Sequence, residues 1–498
     1  MKNIVTAFLL LVCFFAAAQK NDNTNVKELV PAGVHVTVAK GSVTVNNTVL
    51  NYTAHSGYLD LKNDTGKLMA KIFFTYYKKD NSTGKRPITF AFNGGPGSSS
   101  VWLHMGGLGP KRVALKDDGT ATAPPYTVIN NEYTWLDKTD IVFIDPVSTG
   151  FSEAASGEKA DQFHGYVEDI SSVAAFIRDF LSRYERWGSP KFLAGESYGT
   201  TRAAGLSQYL QDNFRIYFNG IFLISPVLNF GSSDYYQGHD LPRALYLPSY
   251  TAAAWYHKKL LPALQGDLQK ALKEAEAFAM GEYATALLKG SLLTEAEKEN
   301  IAAKMSYYTG LDKNYCLQAN LRVDENRFYK ELRRRDGLTI GRLDARFTGR
   351  DIDDAGEYVS YDPSFTNIDG PFTSAINDYF QKDLKLAEEK AYNIFGNVYP
   401  WNYSNVQNRF LNVAESLRDA MTKNPALKVY VGSGYFDFAT PYFIAGFDLA
   451  HMFLRPEVQA NIKHYFYHAG HMYYINKPDL VQFKKDTDAF FDWALAAP

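Results

Sequence analysis

The patterned part of the chain begins with alternation. Val34, Val36 and Val38 stand between polar positions, Val43 and Val45 follow across Lys40-Gly41, and Leu59-Asp60-Leu61 and Ala70 to Tyr77 keep the rhythm. A period of two sends one face of a strand to a core and the other outward. Residues 34–79 therefore predict an antiparallel β region, closed by a polar turn at 80–85. Further on, strand signals come in short, mostly apolar runs, Pro87 to Phe92, Asp140 to Ile144, Phe192 to Ala194, Gly220 to Ile224 and Leu427 to Val431, and a last strand signal spans Ile462 to Tyr467. Such runs fit strands buried on both faces. Helical spacing separates them. In 163–185, Val167, Ile170, Val173, Phe176, Ile177, Phe180, Leu181 and Tyr184 share one face, and Gly188 and Pro190 stop the helix. Thr201 to Leu210 continues as helix, and a last helix spans Pro478 to Ala496 with its proline in the first turn.

From about 230 to 395 strand signals vanish. Leu268 to Leu288 is rich in Ala, Leu, Lys and Glu, Thr294 with Glu297 forms a capping box, and Arg333-Arg334-Arg335 reads as a solvated helix face. The chain therefore divides into an α/β core at 19–229, a helical cap insertion at 230–400 and the rest of the core at 401–498, after a segment at 1–18 treated below. Strands alternating with helices imply a mostly parallel sheet, whose ligands bind at the carboxyl ends of the strands. Asn93, Asp145, Ser197, Ser225, Asp437 and His471 each follow such an end and are expected on one rim.

One of these strand ends carries Gly195-Glu196-Ser197-Tyr198-Gly199. Strand, sharp turn and helix, with a serine at the apex between two glycines, is how an α/β-hydrolase presents its nucleophile. The helix behind it aims backbone N–H groups and its positive end at the same spot. Asn93-Gly94-Gly95-Pro96-Gly97-Ser98-Ser99-Ser100 ends another strand. A phosphate loop would carry a lysine there; a turn whose N–H groups face a site is an oxyanion hole. A serine hydroxyl needs a base, and the base needs an acid to fix its tautomer. In the hydrolase order of Ser, acid, His, the acid is Asp437 and the base is His468 or His471, between which spacing does not choose. Asp145, the competing acid, precedes the serine.

Composition changes the picture in three places. Fifty-two basic against 54 acidic residues give a net charge of −2, so there is no electrostatic footprint for nucleic acid. Lys2, the apolar run Ile4 to Phe15 and Ala16-Ala17-Ala18 make a signal peptide at 1–18, too short for a membrane span, and predict an exported protein, periplasmic or secreted, with no stable anchor after cleavage. Removal of Cys13 would leave Cys316 as a buried single thiol with no internal disulfide.

Taken together, G-E-S-Y-G, N-G-G-P-G-S-S-S, D-P-V-S-T-G-F-S (145–152) and A-G-H-M (469–472) resemble the serine carboxypeptidases, peptidase family S10, in a bacterial branch without disulfides. The likeness runs over roughly residues 50–490. It implies an α/β-hydrolase core with an inserted cap, a peptide substrate with a free C-terminus, and no metal or cofactor. It makes Ser197 the nucleophile, Asp437 the orienting acid and, because the family's histidine follows glycine, His471 the base. It puts the oxyanion hole at the N–H groups of Gly95 and Tyr198, and the substrate's carboxylate on Asn93 and Glu196. Two carboxyls in contact share a proton, so Glu196 is expected to favour peptidase action at acidic pH. The family's second carboxylate-binding Glu falls here at Gly107, which leaves esterase or acyltransferase action as the alternative. A non-catalytic binding protein on the same scaffold is the third.

Overall fold

The computed structural model describes residues 30–82 and 85–496; the signal segment expected at 1–18 lies outside them. Strands β1 (Val34–Val45), β2 (Thr48–Lys62) and β3 (Leu68–Lys79) form the antiparallel meander that the alternation predicts. The later strand signals become β4 (Ile88–Phe92), β5 (Asp140–Ile144), β6 (Lys191–Ser197), β7 (Gly220–Pro226), β8 (Lys428–Gly434) and β9 (Ile462–Tyr467). All join one sheet in the order β1-β2-β3-β5-β4-β6-β7-β8-β9. From β5 to β9 every pairing is parallel, and β3 meets β5 antiparallel.

Helices α1 (Tyr166–Arg183) and α2 (Tyr198–Phe214) cover one face of the sheet. Val173, Phe176, Ile177 and Phe180 of α1 and Leu206 and Leu210 of α2 pack there with Phe74, Phe90, Val142, Leu193, Leu223 and Val429. Neighbouring strand residues point the other way, so Phe73, Ala91, Phe143, Phe192, Phe222 and Tyr430 belong to the opposite layer. That layer is completed by helix α4 (Pro363–Lys382) and helix α5 (Lys477–Leu495), which follow α3 (Leu241–Tyr256) in the chain. Each fully buried large apolar side chain contributes about 1.5–3 kcal/mol, so the two layers carry the core.

A third apolar cluster joins α3 to the helices that follow it, up to Leu332, and takes in Tyr435, Phe436, Phe438 and Tyr442 from beyond β8. Within 230–400 the chain is not uniform. The α4 segment packs on the sheet layer, and Thr339–Ile340 pairs with Thr348–Gly349 as two short strands among the helices. Thr294 and Glu297 form the expected capping box, Arg333 and Arg334 pair with Asp336 and Glu331 at the surface, and Cys316 is buried.

Candidate active site

The parallel sheet brings its strand ends to one rim, and β6 ends there at Ser197. Its φ of 59° and ψ of −131° are a conformation that L side chains avoid. A Cβ at Gly195 would collide with the Gly199 carbonyl, and one at Gly199 would lie 2.7 Å from the Phe92 carbonyl oxygen. The turn therefore closes only with glycine at both places, and it holds the serine at the apex with α2 starting behind it. The loop after β4 lies directly against that helix start. A Cβ on Gly94 would run into the Tyr198 nitrogen, so the Gly94-Gly95 turn presses on the start of α2 beside Ser197.

His471 follows β9, and Asp437 follows β8. The two meet with His471 Nδ1 2.8 Å from Asp437 Oδ2, both side chains buried. Asp437 is held from the other side by the backbone N–H groups of Ala439 (2.7 Å) and Thr440 (3.0 Å) on Oδ1, and by the Thr440 hydroxyl on Oδ2. Ser225, at the end of β7 with φ of 50°, donates its hydroxyl to the His471 carbonyl at 2.6 Å. Burial alone would push the His471 imidazole down; the Asp437 carboxylate, its hydrogen bond and the nearby Glu196 outweigh it, so the pKa stands above the ordinary histidine value. Among the described residues Ser197 and His471 share no hydrogen bond. In unliganded hydrolases this contact is often long and tightens in the substrate complex.

Glu196 immediately precedes the serine. It is 2% exposed, accepts a hydrogen bond from the Tyr474 hydroxyl and contacts the Asn93 side chain. Burial pushes its pKa up to about 7, against the lowering effects of His471, Tyr474 and Asn93. Asn93 is fixed at both ends. Its side-chain oxygen accepts from Leu103 N at 3.0 Å, and its carbonyl accepts from Arg202 Nη1 at 2.6 Å. Arg202, fully buried in α2, is balanced by Asp169 of α1 at 2.8 Å.

Two residues here escaped the sequence reading. Tyr474 occupies the space where a side chain at 107 would go: a Cβ on Gly107 would be 3.2 Å from its ring, and one on Gly106 2.5 Å. The signal was the pair of glycines in an otherwise apolar run, a vacancy that some other residue had to fill. Arg202 was visible as a lone cation on a helix of small residues. The two competitors lie elsewhere. Asp145 is buried between the 96–100 loop and the 390s, accepting from Ser100 N at 2.8 Å and from the Tyr392 hydroxyl at 2.9 Å. His468 is exposed, its backbone N–H bonded to Asp479.

The model of the serine carboxypeptidase family matches residues 44–452. "Serine carboxypeptidase-like 36" of Arabidopsis thaliana is 29% identical over 191 residues, 36% of this chain and 36% of the relative. "Pheromone-processing carboxypeptidase kex1" of Schizosaccharomyces japonicus is 30% identical over 182 residues, 36% of this chain and 32% of the relative. These matches span about a third of the relatives' own length. Among solved structures, a prohormone-processing carboxypeptidase, KEX1, from Saccharomyces cerevisiae superposes with a TM-score of 0.54 at 15% identity, covering 88% of this chain and 91% of that one. The fold is that of an α/β-hydrolase.

Proposed function

The chain belongs to the serine carboxypeptidase family, and on that premise we propose that it is an exported enzyme that removes the C-terminal residue from peptides. The observation that carries this reading is the His471–Asp437 pair at 2.8 Å on the same rim as a serine held at positive φ. Ser197 Oγ attacks the last peptide carbonyl and passes its proton to His471 Nε2. Asp437 keeps the other ring nitrogen protonated and stabilises the imidazolium. The Gly95 and Tyr198 N–H groups receive the oxyanion. Collapse of the tetrahedral intermediate breaks the C–N bond, and the leaving amine takes the proton from His471. Water then attacks the acyl-enzyme, with His471 as base again, and the proton returns to Ser197.

Asn93 and Glu196 hold the carboxylate of the leaving residue. A buried carboxyl whose pKa lies at about 7 accepts the shared proton at small cost, and the Tyr474 hydroxyl supports it from the place a second acid would take. Residues 230–400 are read as a cap inserted between core segments 19–229 and 401–498, a division supported by the separate apolar cluster around α3. Export rests on the pattern at 1–18; among the described residues no helix is long and apolar enough to cross a membrane.

The test is an N-blocked dipeptide offered as free acid, amide and ester. Preferential cleavage of the free acid supports a carboxypeptidase. Cleavage of the ester alone supports an esterase or acyltransferase with the same three residues. Failure of all three, with no labelling of Ser197 by a fluorophosphonate, overturns the enzymatic reading.

A further inference from the structure

Residues 342–345 come from the helical insertion and are laced between the two loops that carry Asp437 and His471. The Arg342 carbonyl accepts from Phe438 N at 3.1 Å and the Leu343 carbonyl from His471 N at 2.6 Å. Asp344 Oδ2 accepts from Gly470 N at 2.9 Å, and Ala345 N donates to the Phe436 carbonyl at 2.9 Å. The Arg342 N–H is tied in turn to Asp362 Oδ1 at 3.1 Å. The backbone at 342 is thus pinned directly beside the acid and base loops.

The side chain is not pinned. Among the described residues the Arg342 guanidinium makes no hydrogen bond and no ion pair, and it is solvent-exposed. Tyr329, Tyr246, Asp437 and Asp362 are among the groups close enough to act on its charge, the first three of them buried. Arg342 is thus an exposed cation beside the catalytic pair, with buried groups behind it. Glu325, whose carboxyl pKa is raised chiefly by burial, is a further acid close enough to feel the Arg342 charge.

The wall behind Arg342 lies on a definite side of Ser197. Phe438, whose N–H donates to the Arg342 carbonyl, stacks on Tyr250, which packs against Tyr246 with ring centroids 6.2 Å apart. Tyr246 stacks edge-on to Tyr235, with ring centroids 6.1 Å apart, and Tyr235 accepts from Glu325 N. Asp234, next to Tyr235, follows the turn whose Phe230 ring packs 6.4 Å from that of Tyr198. This wall runs from Tyr246 toward Tyr198, whose N–H is read above as an oxyanion donor.

We propose that Arg342 determines specificity by receiving an acidic side chain from the acyl part of the peptide, the residue before the scissile bond. An arginine with no hydrogen-bond partner presents a planar fork of donors matched to a carboxylate, and the buried groups behind it screen the pair less than open water does. The inference rests on the carboxypeptidase reading for the orientation of the peptide, and its test separates the two.

The Ser197→Ala protein is titrated by calorimetry with N-acylated dipeptides X-Leu, where X is Glu, Gln or Lys, and with Leu-Glu as the control for the leaving side. The expected result is about tenfold tighter binding of Glu-Leu than Gln-Leu, or 1.4 kcal/mol. Added Arg342→Gln should bring that ratio within twofold, and Arg342→Glu should turn the preference toward Lys-Leu. Leu-Glu should respond to neither. The single Arg342→Gln variant, with Ser197 intact, should keep the denaturant midpoint of the wild type, because the bonds at 342 are made by the backbone. An unchanged Glu/Gln ratio, an equal loss on all peptides, a change confined to Leu-Glu, or no binding at all overturns the proposal. Charge-selective binding that follows Arg342 in a protein that cleaves no free-acid peptide overturns the carboxypeptidase reading and leaves this one standing.

Discussion

The two sides of Ser197 bury ionisable groups to the same depth and charge them in opposite ways. His471 and Asp437 are both under 5% exposed, and their pairing raises the imidazole above its usual pKa. Glu196, 2% exposed, has His471 nearby but only neutral donors, Tyr474 and Asn93, in hydrogen-bond contact, and burial lifts its carboxyl to about 7. Burial penalises charge on both sides, and the partner decides whether the penalty is overcome. A full opposite charge in contact does it; a phenol and an amide do not. The two sides are also coupled. Glu196 is one of the anions that raise His471. On the proposed reading, a substrate carboxylate that drives a proton onto Glu196 would withdraw that support and free the imidazole to act as a base. A peptide with a free C-terminus would in this way set the protonation of both sides at once.

The largest break in this comparison is the loss of the charged side. Asp437→Asn keeps the shape and removes the anion, which leaves His471 without the partner that fixes its tautomer. The expected loss is roughly 10⁴-fold in kcat with little change in KM, measured on the free-acid dipeptide. Ester cleavage should fall equally, because this side of the site serves any acyl group. A loss below tenfold would mean that another group orients the histidine.

Next comes the support beneath the neutral side. Arg202 ties the Asn93 carbonyl at 2.6 Å and balances Asp169 at 2.8 Å, with both ions buried. Arg202→Met should cost about 3–5 kcal/mol of stability, because it leaves Asp169 buried with no counter-ion. The paired Arg202→Met/Asp169→Leu protein should recover most of it. Denaturant midpoints of the three proteins check this. If the single variant loses less than 1 kcal/mol, water reaches the pair.

A third experiment reads Glu196 itself. Its pKa is near 4.5 in the unfolded chain and about 7 in the fold, so the native state binds the extra proton between those values. Its contribution is most favourable below about pH 4.5 and is lost as pH rises to about 7. Glu196→Gln, a mimic of the protonated form, should match wild type near pH 4.5 and be more stable on the order of 3 kcal/mol at pH 8. Asp145 and Asp448, both pushed up to about 7 mainly by burial, slope the same way and cancel in the difference. In activity, the wild type should lose free-acid cleavage above about pH 7. The variant should lose much of that dependence, and the ester should show little of it in either protein.

How far these features were legible follows the same division. The α/β order, the six parallel strand ends and the elbow at Ser197 were written in local pattern: apolar runs, glycines at fixed offsets, residues just past strands. Asp437 and His471 could be placed on one rim because topology alone does that. Spacing could not choose between His471 and His468, since both follow β9 within four residues; the fold separates them, one buried and one exposed. Nothing local marks Tyr474 as the partner of Glu196, 278 residues away. Long-range polar contacts have no period, and only the vacancy at Gly106-Gly107 hinted that one existed. The insertion read as helical throughout, yet α4 packs on the sheet, because an amphipathic helix shows which face is buried and not against what.

The smallest effect tests that hidden contact. Tyr474→Phe keeps the ring that fills the space beside Gly107 and removes only the hydroxyl on Glu196. A hydrogen bond of this kind is worth about 0.5–1.5 kcal/mol, so KM for a free-acid peptide should rise about two- to tenfold. The kcat should hold, and the ester, which has no carboxylate to bind, should be unaffected. The same hydroxyl favours the ionised form of Glu196. Its loss should therefore carry the pH at which free-acid cleavage declines upward, opposite in sense to a general weakening of the site. A purely structural tyrosine would lower activity toward acid and ester alike and leave that pH in place. Tyr474→Ala, which also empties the space beside Gly106 and Gly107, should add a loss of stability that Phe does not, and so separates the ring's packing from the hydroxyl's chemistry.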